Sequence, residues 1–99
     1  MELKTHFNKT FLENSTETLR AIAHPIRIAI IDLLHQNGEM NVTDIHERLN
    51  IQQAIASHHL RILKNKNVVK VQRDGQKSLY SLRSGDFYAI VQTLKKVIH

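Results

Sequence analysis

A mainly α-helical fold carrying a single β-hairpin, in the order α-α-α-α-β-β-α, is what this 99-residue chain predicts. Three observations carry that expectation. Asn41 to Leu63 reads as two short amphipathic segments meeting at a polar break, the pattern of two helices joined by a tight turn. Directly after it, Val68 to Arg73 and Gln76 to Leu82 are rich in β-forming residues and flank Asp74-Gly75, a two-residue hairpin signal. Gly85 to His99 then spaces Phe87, Ile90, Val91, Leu94, Val97 and Ile98 three and four apart, the stripe of an amphipathic helix. Together these describe one winged helix-turn-helix domain over residues 1–99, with the helix-turn-helix at 41–64 and the wing at 67–82.

Taken in order, Leu3, Phe7 and Phe11 stand four apart across Glu2 to Leu12, one stripe of a possible extra N-terminal helix. A helix that short is marginal alone, so it is expected to dock on the domain body or on a second copy of the chain. Ser15 and Thr16 offer N-caps for a following helix with Leu19, Ile22 and Ala23, which His24-Pro25 interrupts. Pro25 suits the first turn of a further helix, where its missing N–H would be unpaired anyway. That helix, Ile26 to about His35, is expected to bury Ile26, Ile30, Leu33 and Leu34 and to stop at Asn37-Gly38.

The first helix of the helix-turn-helix begins at Asn41 as N-cap, with Asp44 three residues on, and is expected to bury Val42, Ile45 and Leu49. Asn50 ends it, being tolerant of the left-handed conformation a tight turn needs. The second helix is expected to bury Ile51, Ile55, Leu60 and Leu63, leaving Gln53, Ala54, Ser57, His58, Arg61 and Lys64 outward. Amides, a hydroxyl and cations there suit base edges and phosphates. Arg73 and Lys77 flank the hairpin turn, where they could reach a phosphate backbone or a minor groove. Three helices already cover a small core, so apolar stripes at 1–14 and 84–99 look surplus to a monomer. Pairing Leu3, Phe7, Phe11, Phe87, Ile90, Val91, Leu94, Val97 and Ile98 across a two-fold axis would bury both segments in a homodimer.

Fourteen Lys plus Arg against nine Asp plus Glu leave a formal charge of +5, which favours a polyanionic partner such as double-stranded DNA. The absence of cysteine excludes disulfides, thiolate metal sites and sulfur nucleophiles. No Gly-rich phosphate loop, paired carboxylates or Ser-His-Asp set points to an enzyme. Neither a signal peptide nor an apolar run of about 20 residues is present, so the expectation is a cytoplasmic protein without membrane contact. The rival reading is a winged helix that binds protein as an adaptor, which calls for an apolar or acidic outward face. Polar and basic residues stand there instead.

At this point the chain resembles the ArsR-type (ArsR/SmtB) winged helix-turn-helix transcriptional repressors. The likeness runs from Leu19 to His99 through IAHPIRIAIIDLL, VTDIHERLNIQQAIASHHLRIL and VVKVQRDGQKSLYSL. It implies a homodimer joined through the first and last helices, with one recognition helix per subunit in successive major grooves. It also implies repression by blocking promoters, commonly including the repressor's own. Carried over by position, the recognition residues fall on Gln53, Ala54, Ser57 and His58, with His59 and Arg61 just behind. His59 lies in the inward register and reads as structural; His58 reads as the DNA candidate. Gln52 departs from the capping Ser common in the family, and Gln caps poorly.

The seven histidines are scattered at 6, 24, 35, 46, 58, 59 and 99 and form no ligand spacing. The family's Cys-x-Cys thiolate site falls on Asn41-Val42-Thr43, which cannot bind thiophilic metals. Its zinc site on the last helix falls on Asp86, Tyr88 and His99, leaving Asp86 and His99 as a degenerate pair. The expectation is therefore no cofactor, with zinc disfavoured; the sequence leaves open a small-molecule inducer, a protein inducer or none.

Overall fold

The computed structural model describes residues 3–98 and contains α1 (Lys9–Ile22), α2 (Pro25–Asn37), α3 (Val42–Leu49), α4 (Gln53–Asn65), β1 (Val69–Asp74), β2 (Lys77–Leu82) and α5 (Asp86–Ile98). The order is the expected one, but the chain start differs. Among the described residues no extra N-terminal helix precedes α1, which runs without a break through Ser15 and Thr16. Its N-cap is Asn8, whose side chain accepts from the Phe11 N–H at 2.7 Å. Ser15 and Thr16 instead donate their hydroxyls back to the Leu12 carbonyl, at 3.2 and 2.7 Å. Such back-bonding satisfies both groups inside a helix, and one long helix needs one nucleus where two short ones need two. Leu3 and Phe7 consequently lie before the helix; the Phe7 and Phe11 rings stack at 4.9 Å. Of the second segment's expected apolar set, Ile22 is buried, joined by Ala21, whereas Leu19 and Ala23 are exposed.

α2 is the spine, packing against α1, α3, α4, α5 and β2. Pro25 occupies its first turn, and Gly38 ends it at φ +82°, a conformation open to glycine at little cost. Ile30, Ile31, Leu33 and Leu34 are buried; Ile26, expected inside, is only half-buried, and Ile31 takes the inner place. α3 starts as expected, with the Asn41 side chain accepting from the Asp44 N–H at 2.8 Å, and Ile45 fully buried. Asn50 turns the chain at φ +55°.

The inward stripe of α4 is Ala56, His59, Leu60 and Leu63. Ile55 was expected inside but is 38% exposed, and Ala56 is wholly buried in its stead. The reason is steric: the face of α4 pressed against α2 and α3 admits a methyl group at 56, and that choice rotates the larger 55 side chain to the flank.

β1 and β2 pair antiparallel from Val69↔Leu82 to Asp74↔Lys77. The turn residues are therefore Gly75 and Gln76, one position later than Asp74-Gly75. Positive φ at the first of them (Gly75, +64°) but not at the second is the type II′ pattern, which matches the twist of a hairpin. Backbone bonds from Met40 to Tyr80 and back, at 3.0 and 2.8 Å, tie the start of the helix-turn-helix to the wing. α5 packs on α2 through Val91, which is 4% exposed and so belongs to the protomer's own core, not to a face open to a partner. Among the described residues no helix is long and apolar enough to cross a membrane.

Candidate nucleic-acid interface

Burying Ala56, Leu60 and Leu63 fixes the rotation of α4 and thereby decides what it shows to solvent. Gln53, Ala54, His58, Arg61 and Lys64 are exposed, and Ser57 is half-buried. At 100° per residue, Ala54, His58, Arg61 and Asn65 form the outermost stripe, with Gln53, Ser57 and Lys64 on one flank. The N-cap of the helix is Gln52, whose side chain makes no capping bond, as its chemistry predicts. All six outward residues named from the sequence therefore share one surface, and none of their side chains is held in an ion pair among the described residues.

The wing that follows α4 carries two more exposed cations. Arg73 pairs in register with Ser78, and Lys77 with Asp74; both are exposed on either side of the turn. Because β1 follows α4 after a short link in which Asn67 adopts φ +60° and the Val68 N–H donates to the Leu63 carbonyl at 2.9 Å, the wing is anchored beside the recognition helix. The ion pairs that do form lie elsewhere: Lys9 with Glu13, and Glu17 with Arg20 at 3.7 Å and Lys66 at 2.9 Å. The Lys66 contact, first as a hydrogen bond and then as a charge, holds the Glu17 carboxyl below its ordinary range.

The adjacent histidines separate as the sequence suggested. His58 is exposed; His59 is 7% exposed, with Nδ1 3.4 Å from Arg27 Nη1 and its ring 4.3 Å from that of His24. Burial, and then the neighbouring His24, Arg27 and His58, lower the His59 pKa from its ordinary value. Sequence reading assigned no role to Arg27 and treated His24 only as a helix interruption. His24 and Arg27 stand three apart at the start of α2, but no spacing links them to position 59, and the fold brings His59 to them.

The positions onto which the family's metal sites fall have the following surroundings. The Asn41 side-chain oxygen is committed to the α3 cap, and Tyr88 stacks on His35 with rings 3.6 Å apart and 2° from parallel. Asp86 sits in the first turn of α5, and His99 lies outside the described residues. Among the described residues no three His, Asp or Glu side chains converge on a metal position.

Leu94, Val97 and Ile98 on α5 are 38%, 73% and 78% exposed, and Leu3, Phe7 and Phe11 at the other terminus are exposed as well. Phe87 and Ile90 are half-buried against the core. An apolar groove lined by Ile28, Val91, Leu94, Lys95 and Ile98 runs between α2 and α5.

With this geometry in place, comparison with known proteins gives a consistent result. The family described as bacterial regulatory proteins of the arsR family matches residues 24–71. The transcriptional repressor PagR of Bacillus anthracis is 33% identical over 86 residues, 87% of this chain and 86% of PagR; its crystal structure superposes with a TM-score of 0.80. NolR from Sinorhizobium fredii, 29% identical, superposes with a TM-score of 0.83 over 98% of this chain and 96% of NolR. A homodimeric winged helix-turn-helix DNA-binding domain from Mycobacterium bovis, 27% identical, gives 0.80 over 97% and 91%. The seating of α4, the anchored wing and these likenesses agree, and the chain belongs to the arsR family of bacterial regulatory proteins.

Proposed function

We propose that the protein is a homodimeric, sequence-specific DNA-binding transcriptional repressor that occupies a pseudo-palindromic promoter operator. One observation carries the reading: the outward face of α4 is polar and cationic and lies beside a wing whose two cations have no carboxylate partner within ion-pair distance among the described residues. The family membership and the repressor named among its relatives support it. Gln53 offers an amide matched to adenine N6 and N7, and Ser57 and His58 supply further hydrogen-bonding groups; these select sequence. Arg61, Lys64, Arg73 and Lys77 neutralise phosphates and set affinity. An adaptor would present an apolar or acidic face, and Ile55 is the one large apolar side chain exposed on α4.

Two subunits joined through α1, α5 and the segment before α1 place their recognition helices about one helical turn of DNA apart. The exposed Leu94, Val97 and Ile98 on α5 and the Phe7/Phe11 stack support that pairing. Control by zinc is not part of the proposal, because tyrosine stands where the last-helix site of the family has a histidine. The test selects duplexes from a randomised pool with the purified protein. A two-fold-symmetric winner bound far above random DNA supports the reading; no enriched sequence refutes it.

A further inference from the structure

Beneath α4, two side chains from the start of α2 and one from α4 itself meet in a cluster made only of bases. Ile26 N–H donates to His24 Nδ1 at 3.1 Å, so that nitrogen carries a lone pair. A guanidinium has donors only, so His59 Nδ1, 3.4 Å from Arg27 Nη1, carries a lone pair as well. Each Nδ1 thus serves as an acceptor, and a proton added at His59 Nδ1 removes an acceptor in use. His24 ties this cluster to the N-cap of α2, and Arg27 ties it to the end of α1 by donating to the Arg20 carbonyl at 3.4 Å.

The charged and titratable groups facing His59 are Arg27 from α2, His24 from its cap and His58 from α4, all cationic when protonated. On α1 the Glu17 carboxylate is taken by Lys66 and Arg20, and among the described residues no carboxylate pairs with Arg27. α3 and β1 also pack on α4 but bring no charged group to this cluster among the described residues. A proton on buried His59 would thus place a second cation beside half-buried Arg27 with nothing to offset it among the described residues.

We propose that His24 and His59 are positioning residues, which lock the recognition helix to the start of α2 only while the His59 ring is neutral, so that sequence-specific DNA binding weakens on acidification. The inference rests on the DNA-binding reading above. Its sign follows from linkage: His59 has a folded pKa below the ordinary 6.5, so its contribution is present above that value and is lost as pH falls. Protonation of exposed His58 acts oppositely, adding charge near phosphate and raising affinity for any sequence. The ratio of selected-duplex to random-duplex affinity separates the two.

That ratio is measured by fluorescence anisotropy at about pH 7.5 and about pH 5.5, at constant ionic strength, near the histidine range. The wild type is compared with the double variant His24→Asn, His59→Gln, in which Asn keeps a capping oxygen and Gln keeps a neutral acceptor. The wild-type ratio is expected to fall with a limiting slope of about tenfold per pH unit below the His59 titration, the slope of one proton taken up. The double variant is expected to hold its ratio. A flat wild-type ratio, or an equal fall in the double variant, overturns the proposal. Should the double variant not fold, NMR titration of the wild-type His59 ring decides: a midpoint below 6.5 supports the lock and one at or above it refutes it. Absence of any enriched duplex refutes the DNA-binding reading instead, and the ring titration then judges the lock by itself.

Discussion

Replacing both wing cations, Arg73→Ala together with Lys77→Ala, is expected to flatten the salt dependence of DNA binding while leaving the fold intact. Both side chains are exposed beside the Gly75-Gln76 turn, and neither is in an ion pair among the described residues, so each is available to one phosphate. Each phosphate neutralised contributes about 0.9 to the slope of log K against log salt. Two cations on each of two wings give four contacts, so the double variant's slope is expected to be shallower by about 3.6. Between about 50 and 200 mM salt, a fourfold range, the wild type should lose about 150-fold more affinity than the variant. Exposed substitutions of this kind usually change stability by no more than about 0.5 kcal/mol, so the melting temperature serves as the control for folding. Anisotropy titrations of the selected duplex at four salt concentrations measure both slopes. Parallel lines for wild type and variant would refute the placement of the wings on the phosphate backbone.

Three further outcomes are expected. Gln53→Ala should cost about 1–3 kcal/mol and relax preference at one base position per half-site, checked by repeating the selection with the variant; a uniform loss across all positions would assign Gln53 to phosphate. Leu94→Asp should yield monomers in analytical ultracentrifugation at concentrations where the wild type is dimeric, because it sets an unpaired charge in the proposed seam; an unchanged dimer would remove α5 from it. Leu63→Ala, at a fully buried position under α4, should cost about 2–5 kcal/mol in urea unfolding, whereas Ile55→Ala at the exposed flank should cost much less. Equal costs would contradict the observed rotation of α4.

Element types and much of the site were legible in the sequence because they rest on local chemistry. Asn41 caps α3, Asn50 takes the left-handed turn, Pro25 opens α2 and Gly38 closes it, each through a preference belonging to one residue and its neighbours. The outward set from Gln53 to Lys64 followed from helical period, which tolerates an error of one position at the flank of a stripe. Ile55 and Ala56 mark that error, since period alone cannot say whether the α2–α3 surface admits an isoleucine or a methyl group. Ser15 and Thr16 mislead in a similar way: a hydroxyl that can cap a helix can also back-bond within one, and the choice falls to the longer helix.

By itself, then, the sequence determined a helix-turn-helix followed by a hairpin, a basic surface, a chain without thiol chemistry and a family resemblance, all consequences of residue type and short spacing. Tertiary structure alone decided that Val91 belongs to the protomer's core and that His24, Arg27 and His59 meet under the recognition helix. The physical reason is that such contacts join residues 32 or more positions apart, and no local preference encodes which buried faces will meet.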